Sequence, residues 1–147
     1  MSPLPESPKP ATTEAARTRQ VKEAIRRFTA SRIDKWPWGD VRGECRVLSQ
    51  PIHRYRDPES TIQDGSIFVA VGEGTAPDFF LLIELRGSDL EQATWNYGVH
   101  RTTTAELHLR LDGREVWSVP QESNPGRNVY ATYLHFLLEQ TGEGRLR

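Results

Sequence analysis

The stretch AELHLRLDGREVWSV, residues 105–119, decides how this chain is expected to fold. Apolar and polar residues alternate on both sides of Asp112-Gly113, and that dipeptide between two alternating runs is the strongest short signal for a two-residue β-hairpin turn. Such a turn fixes the cross-strand partners: Leu111 pairs with Arg114, Arg110 with Glu115, Leu109 with Val116, and His108 with Trp117. The predicted hairpin therefore has one apolar face and one polar face.

The preceding run, residues 94–101, also alternates and predicts a strand joined to this hairpin by three threonines. A three-residue loop places its apolar side chains (Trp95, Tyr97 and Val99) opposite those of the hairpin, whereas a slip of one residue would turn them to the polar side. In the first register His100 lies opposite Glu106. One polar face of the sheet then collects seven candidate binding residues: Asn96, His100, Glu106, His108, Arg110, Glu115 and Trp117.

This polar face leaves three interpretations open. It is a solvated outer surface with a cross-strand ion pair, or a binding surface centred on Trp117, whose indole offers apolar area and a hydrogen-bond donor together. The third interpretation is a metal or acid–base site of His100, Glu106 and His108, because two imidazoles and a carboxylate can ligate a divalent cation. Arg110 places a permanent positive charge on the same face, so we expect no metal there. No cofactor is expected either, because no stretch carries a cofactor fingerprint.

Shorter alternating or apolar runs predict further strands, at 44–49 with an extension through 52–56, at 66–71, and at 78–86. Helices are expected at 13–34 and 129–140, where apolar residues recur at helical spacing. The short, turn-like connections favour antiparallel neighbours. The expected fold class is α+β: an antiparallel β-meander of five or six strands, with an N-terminal and a C-terminal helix packed on the sheet.

The length of 147 residues suits a single domain. Residues 1–12 contain four prolines, which lack amide donors, so a disordered tail is expected there. The domain is predicted to cover residues 13–141, followed by a short flexible tail at 142–147.

Charge and cysteine content bound the compartment and the partners. The formal net charge is −1, so nucleic acid is not an expected partner, although the basic first helix and four arginines keep anion contact as a weaker hypothesis: Arg42, Arg46, Arg54 and Arg56. Cys45 is the only cysteine and is expected to be a small buried side chain. The first residues lack a signal-peptide pattern and no apolar run could span a bilayer, so a cytoplasmic protein without membrane contact is expected.

No stretch carries a catalytic or cofactor fingerprint, and whether the protein is an enzyme stays open. The glycine-rich loop at 72–77 is followed by a strand rather than a helix, so it does not fit a phosphate-binding loop. The leading hypothesis is a non-catalytic binding or protein-interaction module, with a protein partner or a second copy of the chain. Trp36 and Trp38 could stack on such a partner, but the favoured interpretation is that they anchor the first helix to the sheet.

The alternative hypothesis is a small-molecule-binding protein or an enzyme. Its pocket would lie between the sheet and the C-terminal helix, where aromatic side chains could surround a ligand. The candidate lining residues are Trp95, Tyr97, Tyr130 and Tyr133.

Overall fold

The computed structural model describes residues 1–72 and 76–122. Within these ranges the chain forms nine strands of one antiparallel sheet, curved into a half-barrel, and one helix of 13 residues. The elements in chain order are β1 (Ser2–Pro3), α1 (Glu14–Arg26), β2 (Phe28–Trp36), β3 (Gly39–Val47), β4 (His53–Asp57), β5 (Ile62–Val71), β6 (Phe79–Arg86), β7 (Thr94–Arg101), β8 (Glu106–Leu111) and β9 (Arg114–Val119).

The spatial order of the strands is β1-β7-β6-β5-β3-β2-β8-β9, with β4 beside β5. Strand β3 joins the two halves of the sheet, because residues 39–45 pair with β2 whereas residues 46–47 pair with β5. The strand is then interrupted, and the chain pairs with β5 again as β4. Residues 44 and 45 of the strand predicted at 44–49 thus pair with β2, whereas the rest of it and its extension through 52–56 follow one edge of β5.

The predicted α+β class is wrong, since the structure is mainly antiparallel sheet with a short helix. The first helix was expected to reach residue 34, but it ends at Arg26 and the chain continues as β2. Phe28 fits the helical stripe of Val21 and Ile25 by spacing, yet its backbone belongs to a strand paired on both sides, with β3 and β8. Pairing of the backbone on two sides outweighs a local helical pattern. The C-terminal helix expected at 129–140 lies outside the described residues.

The predicted meander is also wrong at one connection, because β7 and β8 do not pair. Strand β7 lies between β1 and β6, and β8 lies between β2 and β9. Residues expected to be helical form β2 and occupy the edge of β8 that β7 was expected to fill. Residues 102–105 connect the two halves of the sheet instead of forming a hairpin turn between β7 and β8. The Thr102 amide donates to the Asp78 carbonyl at 2.9 Å.

The Asp112-Gly113 turn is confirmed, with positive φ at both residues, as in a type I′ turn. Leu111 pairs with Arg114 and Arg110 with Glu115, as predicted. The register then shifts by one residue, so that Trp117 rather than Val116 lies opposite Leu109. This β-bulge turns the indole of Trp117 towards the core, where its ring lies 6.2 Å from that of Phe79, and leaves Val116 exposed.

The core lies on the concave face of the sheet, and α1 covers part of it. Thr13 caps the helix, its hydroxyl accepting from the Ala16 amide, and Val21, Ala24 and Ile25 pack into the core. Within the stretch expected to be a tail, Ser2–Pro3 pairs with β7 and Leu4 is buried. The domain boundaries at 13 and 141 stay predictions.

The helix that the structure describes lacks the length and the apolar character that crossing a membrane would require.

Candidate functional site

Four of the seven predicted sheet-face residues lie together on the convex face of β8 and β9: Glu106, His108, Arg110 and Glu115. The other three lie elsewhere. Asn96 and His100 are on β7 in the other half of the sheet, and Trp117 packs towards the core. The pairing of β2 with β8 separates the residues of β7 from those of β8 and β9. Whether any of the seven residues bind a partner stays a prediction.

His108 is held between two carboxylates. Its Nδ1 lies 2.7 Å from Glu115 Oε2 and its Nε2 lies 3.0 Å from Glu106 Oε1. Hydrogen bonds to Glu115 and then Glu106 raise the pKa of His108 above its ordinary value. With both ring nitrogens engaged, the imidazole bridges the two carboxylates, and it has no free nitrogen to act as a general base.

The carboxylates of this cluster are stabilised in their ionised form. Lys35 Nζ lies 2.5 Å from Glu106 Oε2, and this contact, followed by that with His108, lowers the pKa of Glu106. The hydrogen bond from His108 is the main cause that lowers the pKa of Glu115. The arrangement is a set of mutually compensated charges on a sheet surface.

A shallow groove of about 460 Å³ runs beside the cluster and is lined on its other side by β3 residues, among them Arg42 and Glu44. Its walls carry both signs of charge. No group of three or more histidine, cysteine or acidic side chains in residues 1–72 and 76–122 is arranged to hold a metal ion.

The two predicted residues on β7 make local contacts only. The Asn96 side-chain amide donates to the Thr94 carbonyl at 2.9 Å, and the His100 ring stacks on Phe80 with a centroid distance of 6.4 Å. His100 does not lie opposite Glu106, because Phe80 is its partner on β6. The metal-site interpretation required His100, Glu106 and His108 to converge, and they do not.

Two of the four residues predicted to line the alternative pocket lie within the described residues. Trp95 and Tyr97 are buried on the concave face, and the Tyr97 ring lies 5.4 Å from that of Phe28. Tyr130 and Tyr133 lie outside the described residues. A pocket between the sheet and the residues around 130 stays a prediction.

Cys45 is buried, as the sequence predicts, and its surroundings suppress reactivity. Its Sγ lies 3.6 Å from Asp78 Oδ2. The Asp78 carboxylate also accepts a hydrogen bond from Arg32 Nη1 at 2.7 Å. Burial first, and then the neighbouring Asp78 carboxylate, raise the pKa of the Cys45 thiol to about 12. A thiol with that pKa is not a nucleophile near neutral pH.

The feature that the sequence interpretation missed is the end of the β2–β3 hairpin, called here the tryptophan tip: Trp36, Pro37, Trp38 and Gly39. Trp36 pairs with Gly39, so Pro37 and Trp38 form the turn. The two indoles stack with centroids 5.3 Å apart and planes inclined by 11°. Trp38 is 79% exposed and Trp36 is 50% exposed.

The expectation that these tryptophans anchor a helix is wrong, because α1 ends at Arg26. A sequence signal for the hairpin did exist. Proline and glycine flank Trp38, and the residues on both sides include the period-two pattern of strands β2 and β3. The overlap of the first strand with a helical stripe concealed it.

Side-chain contacts hold in place the end of β2 that carries the tryptophan tip. Lys35 exchanges two hydrogen bonds with the Gln121 side chain through its backbone, and Arg32 binds Asp34 at 2.8 Å. Two charged residues on β3, Asp40 and Arg42, follow the tip in the sequence, and both are exposed. Neither forms an ion pair within residues 1–72 and 76–122.

No protein-family model, curated protein or solved structure matches this chain.

Proposed function

We propose that this protein is a non-catalytic interaction module that binds a second copy of itself through the tryptophan tip. The observation that carries the proposal is the stacked and exposed pair of Trp36 and Trp38. Aromatic side chains that stay exposed on a rigid element are typical centres of protein interfaces, where tryptophan is enriched among the residues that dominate binding energy.

The size of the exposed apolar surface fits an anchor for a weak contact. A covered tryptophan buries about 150–250 Å², so the exposed parts of the two indoles offer on the order of 250 Å². An interface of standard size buries about 800 Å² on each partner. We therefore expect the tryptophans at the centre of a larger, concentration-dependent contact. Because side-chain contacts already hold the end of β2 in place, less conformational entropy is lost when the tip binds.

The charges beside the tip favour a second copy as the partner. Asp40 and Arg42 have opposite signs, are exposed, and belong to none of the ion pairs between described residues. Asp40 lies opposite Lys35 on β2, but the ammonium group of Lys35 is bound by Glu106. In a two-fold contact each surface meets itself, so that Asp40 of one copy can face Arg42 of the other in both directions. The same two residues thus supply a complementary pair twice.

Two observations support the non-catalytic part of the proposal. Both ring nitrogens of His108 are engaged by carboxylates, and burial raises the pKa of the Cys45 thiol to about 12. Neither group has the free lone pair or the lowered pKa that acid–base or nucleophilic catalysis requires.

Sedimentation velocity of the full chain over a wide concentration range tests the proposal. We expect wild-type protein to shift reversibly from monomer to dimer, and Trp38→Ala to weaken the association by roughly tenfold or more. Ile52→Ala is the matched control, because Ile52 is 58% exposed away from the tip. A wild-type protein that stays monomeric, or equal weakening by both variants, would contradict the proposal.

We also propose a cytoplasmic location. Its support is the single, buried and unpaired Cys45, which is typical of proteins in reducing compartments. Fractionation of cells that express the full chain tests it.

A further inference from the structure

The convex face of the sheet carries an apolar patch on strands β5 and β6. Along β6 the side chain of Leu81 is fully buried in the core, whereas its neighbours Phe80 and Leu82 lie on the opposite face and are partly exposed. On β5 these two residues have Val69 and Ile67 as their cross-strand partners. The four side chains Ile67, Val69, Phe80 and Leu82 are called here the outer patch.

Polar side chains border the outer patch. His53 of β4 and His100 of β7 flank it on either side. Along the strands it ends at Glu84, whose carboxylate accepts hydrogen bonds from Tyr55 and Arg86. An apolar patch rimmed by polar side chains is typical of an interaction surface.

The helix within residues 1–72 and 76–122 lies on the other side of the sheet. Helix α1 packs on the concave face, with Val21 and Ile25 in the core. Described side chains fill the same face further along, where the Tyr97 ring lies 5.4 Å from that of Phe28. The outer patch is therefore an apolar face of the sheet to which no described helix contributes a cover.

The chain beyond Glu122 contains a segment that matches the outer patch in character and in length. Glu139 is the one charged residue of 129–140, with histidine counted as neutral. A helix of these residues would be about 18 Å long, and the four neighbouring strands β4, β5, β6 and β7 span about 14 Å. The sequence predicts that this helix has an apolar stripe: Tyr130, Tyr133, Leu134, Leu137 and Leu138.

The described chain ends at the same end of the sheet as the outer patch. The Glu122 amide donates to the Thr104 carbonyl at 2.8 Å, and the nearby Thr102 amide donates to the Asp78 carbonyl at 2.9 Å. Phe80 of the outer patch follows Asp78 by two residues. The connection from Glu122 to the start of the segment can span about 23 Å when extended, which is enough to reach the outer patch.

We propose that residues 129–140 cover the outer patch, with their apolar stripe against the side chains of β5 and β6. The connection holds this segment beside the outer patch at a high effective concentration, which favours it over a second copy or another partner. The proposal is independent of the proposed self-association, since the tryptophan tip is at the end of the β2–β3 hairpin.

Protection of an introduced thiol in the full chain tests the proposal. Leu82→Cys places a thiol in the outer patch, and alkylation by iodoacetamide is followed at each site by mass spectrometry. The native Cys45 reports on global unfolding in the same molecule, because it is buried in the core and its pKa is raised to about 12.

Two double variants of the segment are compared. Leu134→Asp with Leu137→Asp places charges in the apolar stripe. Thr132→Asp with His135→Asp is the matched control, because it places the same charges on the opposite side of the predicted helix.

We expect the stripe variant to increase the alkylation rate of Leu82→Cys roughly tenfold or more, because buried carboxylates would detach the segment from the outer patch. The control variant should leave that rate unchanged, and Cys45 should stay unreactive in both. The protection should not depend on protein concentration, since the occupant belongs to the same chain.

Two results would overturn the proposal. The first is an equal rate for Leu82→Cys with and without the stripe substitutions, which a segment on the concave face would also give. The second is protection that increases with protein concentration, which would identify a second copy as the occupant.

A cross-link decides the question if the stripe variant unfolds and exposes Cys45. We expect a short bismaleimide to join Leu82→Cys to Leu137→Cys within one monomer. Arg110→Cys with Leu137→Cys is the control pair, because β8 lies four strands away from β6. Equal yields from the two pairs, or no cross-link from the first, would equally count against the proposal.

Discussion

Arg17 on α1 and Asp64 on β5 form an ion pair in which both side chains are buried, with Nε 2.9 Å from Oδ2. Arg54 binds the same carboxylate at 2.8 Å from β4. Asp64 is 2% exposed, and these two guanidinium groups are its counter-charges. The contact connects the helix to the sheet, beside the hydrogen bond that Arg54 donates to the Thr18 hydroxyl and the exposed pair of Arg56 with Glu14.

The first prediction is that Asp64→Ala destabilises the fold by about 3–5 kcal/mol, because it leaves Arg17 buried without a counter-charge. Arg56→Ala removes the exposed pair with Glu14, which is worth on the order of 0–1 kcal/mol. Urea unfolding of both variants measures the difference. Similar destabilisation by the two substitutions would show that the buried pair has no special role.

The second prediction concerns the Cys45 thiol, whose pKa of about 12 keeps it protonated. Native protein at pH 8 should resist alkylation by iodoacetamide, and urea-denatured protein should react at the rate of an ordinary cysteine. Asp78→Asn should increase the native rate only modestly, because burial is the larger cause of the shift. Mass spectrometry follows the reaction. Equal rates in native and denatured protein would refute this assignment.

The third prediction is a pH dependence of stability that arises from His108. Its pKa in the folded state is raised above the ordinary value of 6.5, chiefly by Glu115 and then Glu106. Protonated His108 therefore stabilises the fold fully below about pH 6.5, and this contribution is lost as the pH rises through the higher folded-state pKa.

The measurement is the free energy of unfolding of wild-type protein and His108→Gln between pH 5 and pH 9, values that bracket the titration. The stability difference between them should shrink as the pH rises. Lys35 also acts on Glu106, and Arg110 acts on Glu115. A difference that is constant or grows with pH would contradict the bridging role of the imidazole.

The fourth prediction tests the β-bulge in β9. Because Trp117 packs towards the core and Val116 is exposed, Trp117→Ala should cost about 3 kcal/mol and Val116→Ser should be nearly neutral. The unshifted register that the sequence suggests would reverse this order. Thermal or urea unfolding of the two variants distinguishes the registers.

The sequence was sufficient where one local signal dominates. The turn at Asp112-Gly113 and the strands Thr94–Arg101 and Arg114–Val119 were predicted with their observed bounds. It failed where distant pairing decides. Phe28 continues the helical stripe of Val21 and Ile25, and its pairing with Leu111 of β8 makes it part of a strand.

The candidate site was predictable to the same extent. Glu106, His108, Arg110 and Glu115 follow from hairpin alternation, and they do share a face. Trp117 was misplaced because nothing in the sequence announces the bulge. The tryptophan tip was misinterpreted because its first strand was assigned to a helix.

The most direct test of the proposed self-association is charge reversal beside the tryptophan tip, measured as the dimer dissociation constant by sedimentation equilibrium. Asp40→Arg and Arg42→Asp should each weaken the dimer, because like charges then meet across the two-fold axis. The double variant should recover most of the wild-type affinity, since opposite charges face each other again. A double variant that dimerises as weakly as the sum of the two single effects predicts would contradict the account.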